Sequence, residues 1–479
     1  MKPAHRPRLR KSLGRIELEN TRQRLKKTLG PWQLTMLGVG STIGAGIYVM
    51  TGTAAANYAG PSILLSFVVA GIACLFTALS YAELASVMPV SGSAYTYAYV
   101  SMGEGWAWAV GWLLLMEYGI SCAGVAAGFS GYAASLLEDL GVHFPAALHT
   151  TTLGVVYQGA SRHMVAHWQC DLLGAFSIAV VTSLLVMGVR ESFKINSLIV
   201  VLKVGVLAVF VALGIWQMHP AYWTPFIPPY QGGFRYGVPG IFRAASVIFF
   251  AYVGFEAVST AAAEAKNPRR DVPVGIVLSL LICTGVYMVV AAVLIGVVPW
   301  QSLDVADPLA IAVNAMHQPW LALFVKIGAV VGLCSVLMGL LYAQSRIFFA
   351  MAEDGLLFSV FARLHQHYQT PWIGSILLGG VVALATAILP IDIIGDLVSL
   401  GTATAFGIVC FTVIWMRNTA PEYKRAFVVP FGGFVLYGVW VGYVPLLGMV
   451  FCGFMAAPLC WDMVLAFIGG DPLPALLLA

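Results

Sequence analysis

Residues Gly38-Val39-Gly40-Ser41-Thr42-Ile43-Gly44-Ala45-Gly46-Ile47-Tyr48 lie in the middle of the first apolar segment of the chain. Four glycines within nine residues is poor helix chemistry, because each costs about 1 kcal/mol against alanine in a helix interior. The flanking residues are still apolar enough to cross a bilayer. At that depth an open backbone N–H or C=O has no water to bond, so broken helix is tolerated only where protein buries it or a cavity borders it. Two readings fit the stretch. In one, the helix is discontinuous and its freed N–H groups face a carboxylate. In the other, the glycines let two helices pack closely, since Gly40-x-x-x-Gly44 also matches the small-xxx-small pattern.

Composition sets the solvent. Of 479 residues, 60% are hydrophobic and 10% charged, with a mean hydropathy of +0.87; soluble domains carry about 25% charged residues. The apolar runs are continuous over about 20 residues rather than alternating over about 10, which excludes a β-barrel and predicts an all-α integral membrane protein. The net charge of +4 is a topology signal and makes no case for nucleic acid. The eight cysteines are scattered through apolar runs without a CxxC pair, as buried small hydrophobes would be. The basic N-terminal 30 residues precede an apolar stretch too long for a signal peptide and without a cleavage site, so that stretch is expected to stay in the mature chain.

Spans are predicted at 32–56, 62–88, 105–136, 169–189, 194–217, 240–263, 273–298, 319–350, 372–390, 393–416 and 434–456, with a doubtful twelfth at 458–479. The expected organisation is a basic cytoplasmic tail over 1–30, a ten-helix core over 31–418, and a C-terminal part over 419–479 holding helix 11 and a short or degenerate helix 12. With the N-terminus inside, 20 of the 25 Lys and Arg fall on the inner side, as the positive-inside rule requires. Arg162, Arg235 and Arg243 fall outside or at the outer edge, and Lys203 and Lys326 within spans. Lys326 is expected to snorkel outward from the start of span eight. In the long outer loop 137–168, His163-x-x-x-His167-x-x-Cys170 has a metal-compatible spacing if helical, but solvated loop histidines are the expectation and no metal or cofactor is called.

The core has an internal regularity. Spans one to five and six to ten (about 31–217 and 239–418) make the same number of crossings in opposite orientation. Each set opens with an irregular helix, the second around Phe249-Phe250-Ala251-Tyr252-Val253-Gly254-Phe255-Glu256. Paired interrupted segments in matching positions of two halves point to a transporter site at a repeat interface. At about 1.5 Å per residue, Gly44 and Glu117 lie roughly 18 Å into their spans, Gly254 roughly 21 Å and Lys203 roughly 14 Å. With a core about 30 Å thick, all four sit near the midplane.

An ionisable group there costs about 2.5–3.5 kcal/mol even on lenient scales. Glu117 is read as a partner for a cation or a proton-exchanging carboxylate; the alternative is a protonated acid hydrogen-bonded across helices. Lys203 is read as a fixed positive charge holding the broken helix, the alternative being a structural Glu117–Lys203 pair. Glu83 and Glu256, nearer the cytoplasmic helix ends, are read as architectural. Helix N-termini present N–H groups to an anion and helix C-termini present carbonyls to a cation. Thr42, Ile43, Gly44, Ala45 and Gly46 would therefore hold a carboxylate. The carbonyls of Phe250, Ala251 and Val253 would hold an ammonium. An amino acid carries both groups on one carbon, and the aromatic rings of Phe250, Tyr252 and Phe255 are candidate gates.

The runs GVGSTIGAGIYVMTG (38–52), SYAELASVMPVSGSAYTY (80–97) and FFAYVGFEAVSTAAAEAKNPRRDVP (249–273) resemble the amino acid–polyamine–organocation superfamily. Glu117 with Lys203, together with GIFRAASVIFFAYVGFEA (240–257) and RIFFAMAEDGLLF (346–358), resembles its cationic amino acid transporter subfamily. The resemblance covers roughly 30–430. It implies the LeuT-like 5+5 inverted-repeat bundle with discontinuous helices 1 and 6, about twelve helices in all. It also implies proton-coupled amino acid transport, with Lys203 standing where sodium-coupled relatives bind sodium. Thr42 to Gly46 and Phe250 to Gly254 would carry the substrate backbone, and Ser335 or Met338 would face its side chain. Ala45 departs from the serine or threonine of many relatives, and the segment after Pro458, with Asp462, Asp471, Pro472 and Pro474, is a weak span. The expected protein is a multi-pass permease of the inner membrane, N-terminus cytoplasmic, whose partners are an amino acid, protons and the lipid bilayer. The alternatives are an amino acid or polyamine exchanger and a transport-dead sensor, and no enzyme is expected.

Overall fold

The computed structural model describes residues 29–88, 93–158, 161–188, 193–368 and 370–468. The first crossing is divided: α1 (Pro31–Thr42) stops short, and α2 resumes over 46–59 with two π-helical stretches, Gly46–Met50 and Ala55–Ala59. Gly60, at φ +59°, turns the chain into α3 (Ile63–Val87). After a short helix α4 (Ser93–Ser101), α5 (Glu104–Asp139) crosses with a π-helical turn at Leu115–Ile120, followed by α6 (Leu172–Val186) and α7 (Phe193–Gly214). The second divided crossing consists of α8 (Gly237–Ile248), a tight turn over Phe249–Tyr252 and a short α9 (Ala257–Thr260). There follow α10 (Pro268–Val297), α11 (Pro308–Ala315), α12 (Pro319–Glu353), α13 (Trp372–Ile388), α14 (Ile391–Thr419) and α15 (Tyr443–Ile468). Helices α1, α10, α11 and α12 begin on proline, whose fixed φ suits a first turn and whose missing N–H would be an orphan there anyway.

Eight helical runs are long and apolar enough to cross a membrane, and α6 and α13 are shorter apolar helices. One of the eight, Gly46–Val87, bends at Gly60 into two passes, so the described residues make eleven passes. Four of the five passes of the first half pack on the counterpart five passes later: α3 on α10, α5 on α12, α6 on α13, and the start of α2 on the turn at 249–252. An odd offset inverts the counterpart, so these contacts are those of two inverted repeats facing each other across an axis in the membrane plane.

Several elements differ from the sequence expectations. Residues Leu153–Gln158 and Ser161–Ala166 form an antiparallel hairpin, β1–β2, in the loop between α5 and α6. His163 is therefore on a strand, and the helical spacing needed for a His163/His167/Cys170 metal site does not exist. A second hairpin, β3–β4 (Gly433–Leu436 and Val439–Gly442), occupies the start of the predicted eleventh span, and α15 begins only at Tyr443. That helix runs through Pro458 into the segment of the doubtful twelfth span; residues 469–479 lie outside the described set. Glu83 is architectural as read: it pairs with Arg417 and Arg425 and accepts the Val429 N–H at 2.8 Å, stapling α3 to the end of α14.

At the end of the bundle away from residue 29, the loop around α11 packs on α2 and α5. The Tyr132 hydroxyl donates to Tyr48 O at 2.8 Å and accepts from Leu309 N at 3.2 Å, tying α5, α2 and α11 together. A β-carbon at Gly131 would stand 2.8 Å from that of Ala306, and one at Gly52 would overlap Leu303 O. Lys326 does not snorkel to water: it is buried and donates to Asp139 Oδ2 at 2.5 Å and Ser135 O at 3.4 Å, because the C-terminal end of α5 supplies acceptors closer than the surface. Asp307, at the head of α11, is half-buried beside Ser135 and Lys326, and burial pushes its carboxyl up to about 6. A carboxyl raised on folding binds its proton more tightly in the packed state, so its stabilisation is full below its unfolded value and lost as pH rises through about 6. The wild-type melting temperature should therefore gain more between about pH 7.5 and about pH 5 than that of Asp307→Asn, whose lid no longer titrates; equal pH dependence in the two proteins would contradict this.

Candidate functional site

The two helix breaks touch each other. Ile43 is extended (φ −73°, ψ 96°), and the N–H groups of Gly44, Ala45 and Gly46 make no backbone hydrogen bond. In the second break Val253 is extended (φ −58°, ψ 128°) and Gly254 has φ +123°, a conformation open to glycine alone at little cost. The contact is reciprocal. A β-carbon at Gly46 would overlap Ala251 Cα, and one at Gly254 would stand 2.6 Å from Ser41 C and 2.8 Å from Thr42 N. The helix is broken, and the close backbone contact is made by Gly46; Gly40 and Gly44, the pair of the small-xxx-small pattern, face side chains of two different helices, Val200 of α7 and Val336 of α12.

Two side chains hold the freed carbonyls of the first break. Lys203, on α7 and fully buried, donates to Gly40 O at 3.0 Å and to Ile43 O at 3.3 Å. Its stem lies against Gly332 of α12, where a β-carbon would come within 3.1 Å of Lys203 Cγ. The Tyr287 hydroxyl, on α10, lies 2.7 Å from Thr42 O and 2.8 Å from Ala251 O and bridges the two breaks. Sequence reading missed Tyr287, because a tyrosine inside an apolar helix gives no local sign of what its hydroxyl reaches. Of the carbonyls assigned to an ammonium, Ala251 O is bonded to Tyr287 and Phe250 O accepts from Val253 N at 3.1 Å, leaving Val253 O without a backbone donor.

Glu117 is fully buried in the π-helical turn of α5, and neither of its oxygens has a hydrogen-bond donor. It therefore forms no pair with Lys203, and its carboxyl faces that of Glu256. Glu256 is not at a solvated helix end but inside the second break, accepting the Gly254 N–H at 2.9 and 3.1 Å and the Tyr118 hydroxyl at 3.0 Å. Its placement was missed because the depth count ran along an unbroken helix and ignored the break at Val253 and Gly254.

The aromatic rings divide. Phe250 points at Gly124 of α5, where a β-carbon would stand 3.4 Å from its ring and 3.1 Å from Ile394. Tyr252 turns away to donate to Phe67 O at 3.1 Å, and Phe255 packs on Tyr81 and Phe406. On α12, Val336 touches Gly44 and Ser335 is buried, whereas Met338 lies on the half-exposed stripe that includes Val331 and Tyr342. Arg243, read from the sequence at the outer edge, is buried, donating to both Asp396 oxygens at 2.9 Å and lying over the Tyr58 ring.

Eleven passes, an inverted repeat and two contacting breaks with bared main-chain groups define a multi-pass membrane transporter. The amino acid permease family matches residues 29–478, and this chain belongs to it; its matched relatives are named permeases and transporters, not enzymes. It is 40% identical over 446 residues to the branched-chain amino acid permease of Bacillus subtilis, covering 93% of this chain and 90% of that one. It is 40% identical over 422 residues to the methylthioribose transporter of the same organism, covering 88% of each. To the mitochondrial cationic amino acid transporter 3 of Arabidopsis thaliana it is 37% identical over 410 residues, covering 86% of this chain and 65% of that one.

The crossing of the breaks generates a test. Gly254→Ala must hold alanine at φ +123° against Ser41 and Thr42, costing about 1–3 kcal/mol for the backbone alone. It should lower the melting temperature and abolish ligand stabilisation, while Gly453→Ala, with nothing within 4 Å of the added carbon, should leave both unchanged.

Proposed function

We propose that this chain is a secondary active amino acid permease of the cell (inner) membrane, its N-terminus cytoplasmic, working by alternating access as a proton-coupled symporter. The observation that carries this reading is the contact of the two breaks. The bared N–H groups of Gly44 to Gly46 open the half-helix α2 and suit a carboxylate, while the free Val253 carbonyl at the end of α8 suits an ammonium. Thr42 and Ile43 complete the first cradle; Phe250, Ala251 and Tyr252 shape the second. Lys203 Nζ donates to the carbonyls of the first break, where a bound cation would otherwise be held, which supports coupling by protons rather than by a bound metal cation.

The side chain of the substrate is proposed to be neutral and aliphatic. Val336 lies against Gly44, and Phe250 and Ile394 border Gly124; the likeness to a branched-chain amino acid permease agrees. Purified protein in proteoliposomes should accumulate L-leucine under an inward pH gradient, with L-isoleucine and L-valine competing better than L-arginine. Exchange that ignores the gradient would make the chain an exchanger, and better competition by L-arginine would overturn the aliphatic assignment. Lys203→Ala should abolish accumulation while weakening binding less, since the substrate contacts are main-chain groups; retained accumulation would remove Lys203 from the coupling role.

A further inference from the structure

Two fully buried carboxyls face each other at the second break, and their hydrogen-bond environments are opposite. Glu256 accepts three donor contacts, two from the Gly254 N–H and one from the Tyr118 hydroxyl. Glu117 accepts none. The remaining titratable groups facing the pair among the described residues are Tyr118 of α5 and Tyr81 and Cys74 of α3. No charged side chain of α12 or α14, which pack against the π-helical turn, acts on Glu117 among the described residues. Two carboxylates in contact and out of water repel each other strongly, and a buried acceptor pair without a hydrogen between its oxygens forfeits a hydrogen bond.

We propose that Glu117 and Glu256 form one proton-binding site, with a single proton on Glu117 donated to Glu256, and that this shared proton is the one carried with the substrate. The proposal rests on the symport reading above and adds to it the carrier and a role for Glu256. The donors fix the direction: Glu256 keeps its charge against the Gly254 amide and the Tyr118 hydroxyl, and Glu117, lacking any donor, holds the hydrogen. The same Gly254 amide belongs to the unwound segment that borders the substrate cradle. Protonation is thereby tied to the shape of the break: a second proton, on Glu256, would cost the loop its anionic acceptor, and loss of the shared proton would force two anions together. The step is proton transfer alone. The O–H bond on Glu117 breaks, water on the inner side takes the proton when that side opens, and the bond re-forms with a proton from outer water in the opposite state. The π-helical turn at Leu115–Ile120 has a purpose in this scheme, because a wide turn displaces the side chain of Glu117 from the regular helical position.

Two measurements on the full-length protein test the pair independently of one another. The first needs no substrate. Infrared difference spectra of the reconstituted protein between high and low pH should show a protonated-carboxyl band that vanishes in Glu117→Gln and shifts, without vanishing, in Glu256→Gln. A band unaffected by either substitution would overturn the shared site even if transport proves proton-driven. The second uses L-leucine in proteoliposomes. With one proton per substrate, a one-unit pH gradient sustains at most about a tenfold accumulation; Glu117→Gln and Glu256→Gln should each bring the ratio to unity while counterflow persists. Glu256→Asp keeps a carboxyl and should restore part of the accumulation, which a purely structural loss of the Gly254 contact would not do. Wild-type protein without gradient-driven uptake would refute the symport reading, leaving the infrared result to decide the proton site. Wild-type coupling retained in Glu256→Gln would refute the pair and leave symport standing.

Discussion

The structure depends on main-chain polar groups that lipid cannot satisfy. Two helices stop at mid-depth, and everything nearby is arranged to meet the amides and carbonyls they expose. A lysine reaches Gly40 O and Ile43 O, a tyrosine hydroxyl joins Thr42 O to Ala251 O, and a glutamate takes the Gly254 amide. Each buried group left unmet would cost about 1–3 kcal/mol. The amides of Gly44 to Gly46 and the carbonyl of Val253 are the groups the protein leaves over. The proposed amino acid cradle rests on that deficit.

The charges buried at membrane depth follow one logic. Arg243 and Asp396 neutralise each other between α8 and α14, Lys326 and Asp139 between α12 and α5, Arg417 and Glu83 between α14 and α3. These pairs lie towards the ends of the passes; the first joins two elements of the second repeat, and the other two join elements of different repeats. Lys203 and the two facing glutamates lie at the breaks instead, where they act on main-chain atoms and on each other.

The two ends of the bundle are tied by different bonds. At one end α11 is bound to α2 and α5 through Tyr132. At the other, Leu29 exchanges backbone hydrogen bonds with Glu264 and Lys266, at 3.0 and 2.8 Å, just beyond α9, so the start of the first crossing is joined to the end of the sixth.

Much of this was legible in the chain itself. Composition required lipid as solvent, the run of glycines at 38–46 required a helix that breaks or crowds, and the repeated pattern at 249–254 required a second break opposite the first. Lys203 was readable because a lysine at mid-depth is too costly to be idle. Other features came only from the fold. Glu256 looked architectural while depth was counted along an unbroken helix, and only the break at extended Val253 and positive-φ Gly254 brings it beside Glu117. Tyr287 and the Arg243–Asp396 pair were invisible because the partners lie 36 to 245 residues away and no local pattern records them. Periodicity and residue cost are properties of a segment, so sequence determines which segments enter the membrane and where they fail as helices. Which atoms then satisfy one another across the bundle depends on packing between distant segments, and that was decided by tertiary structure alone.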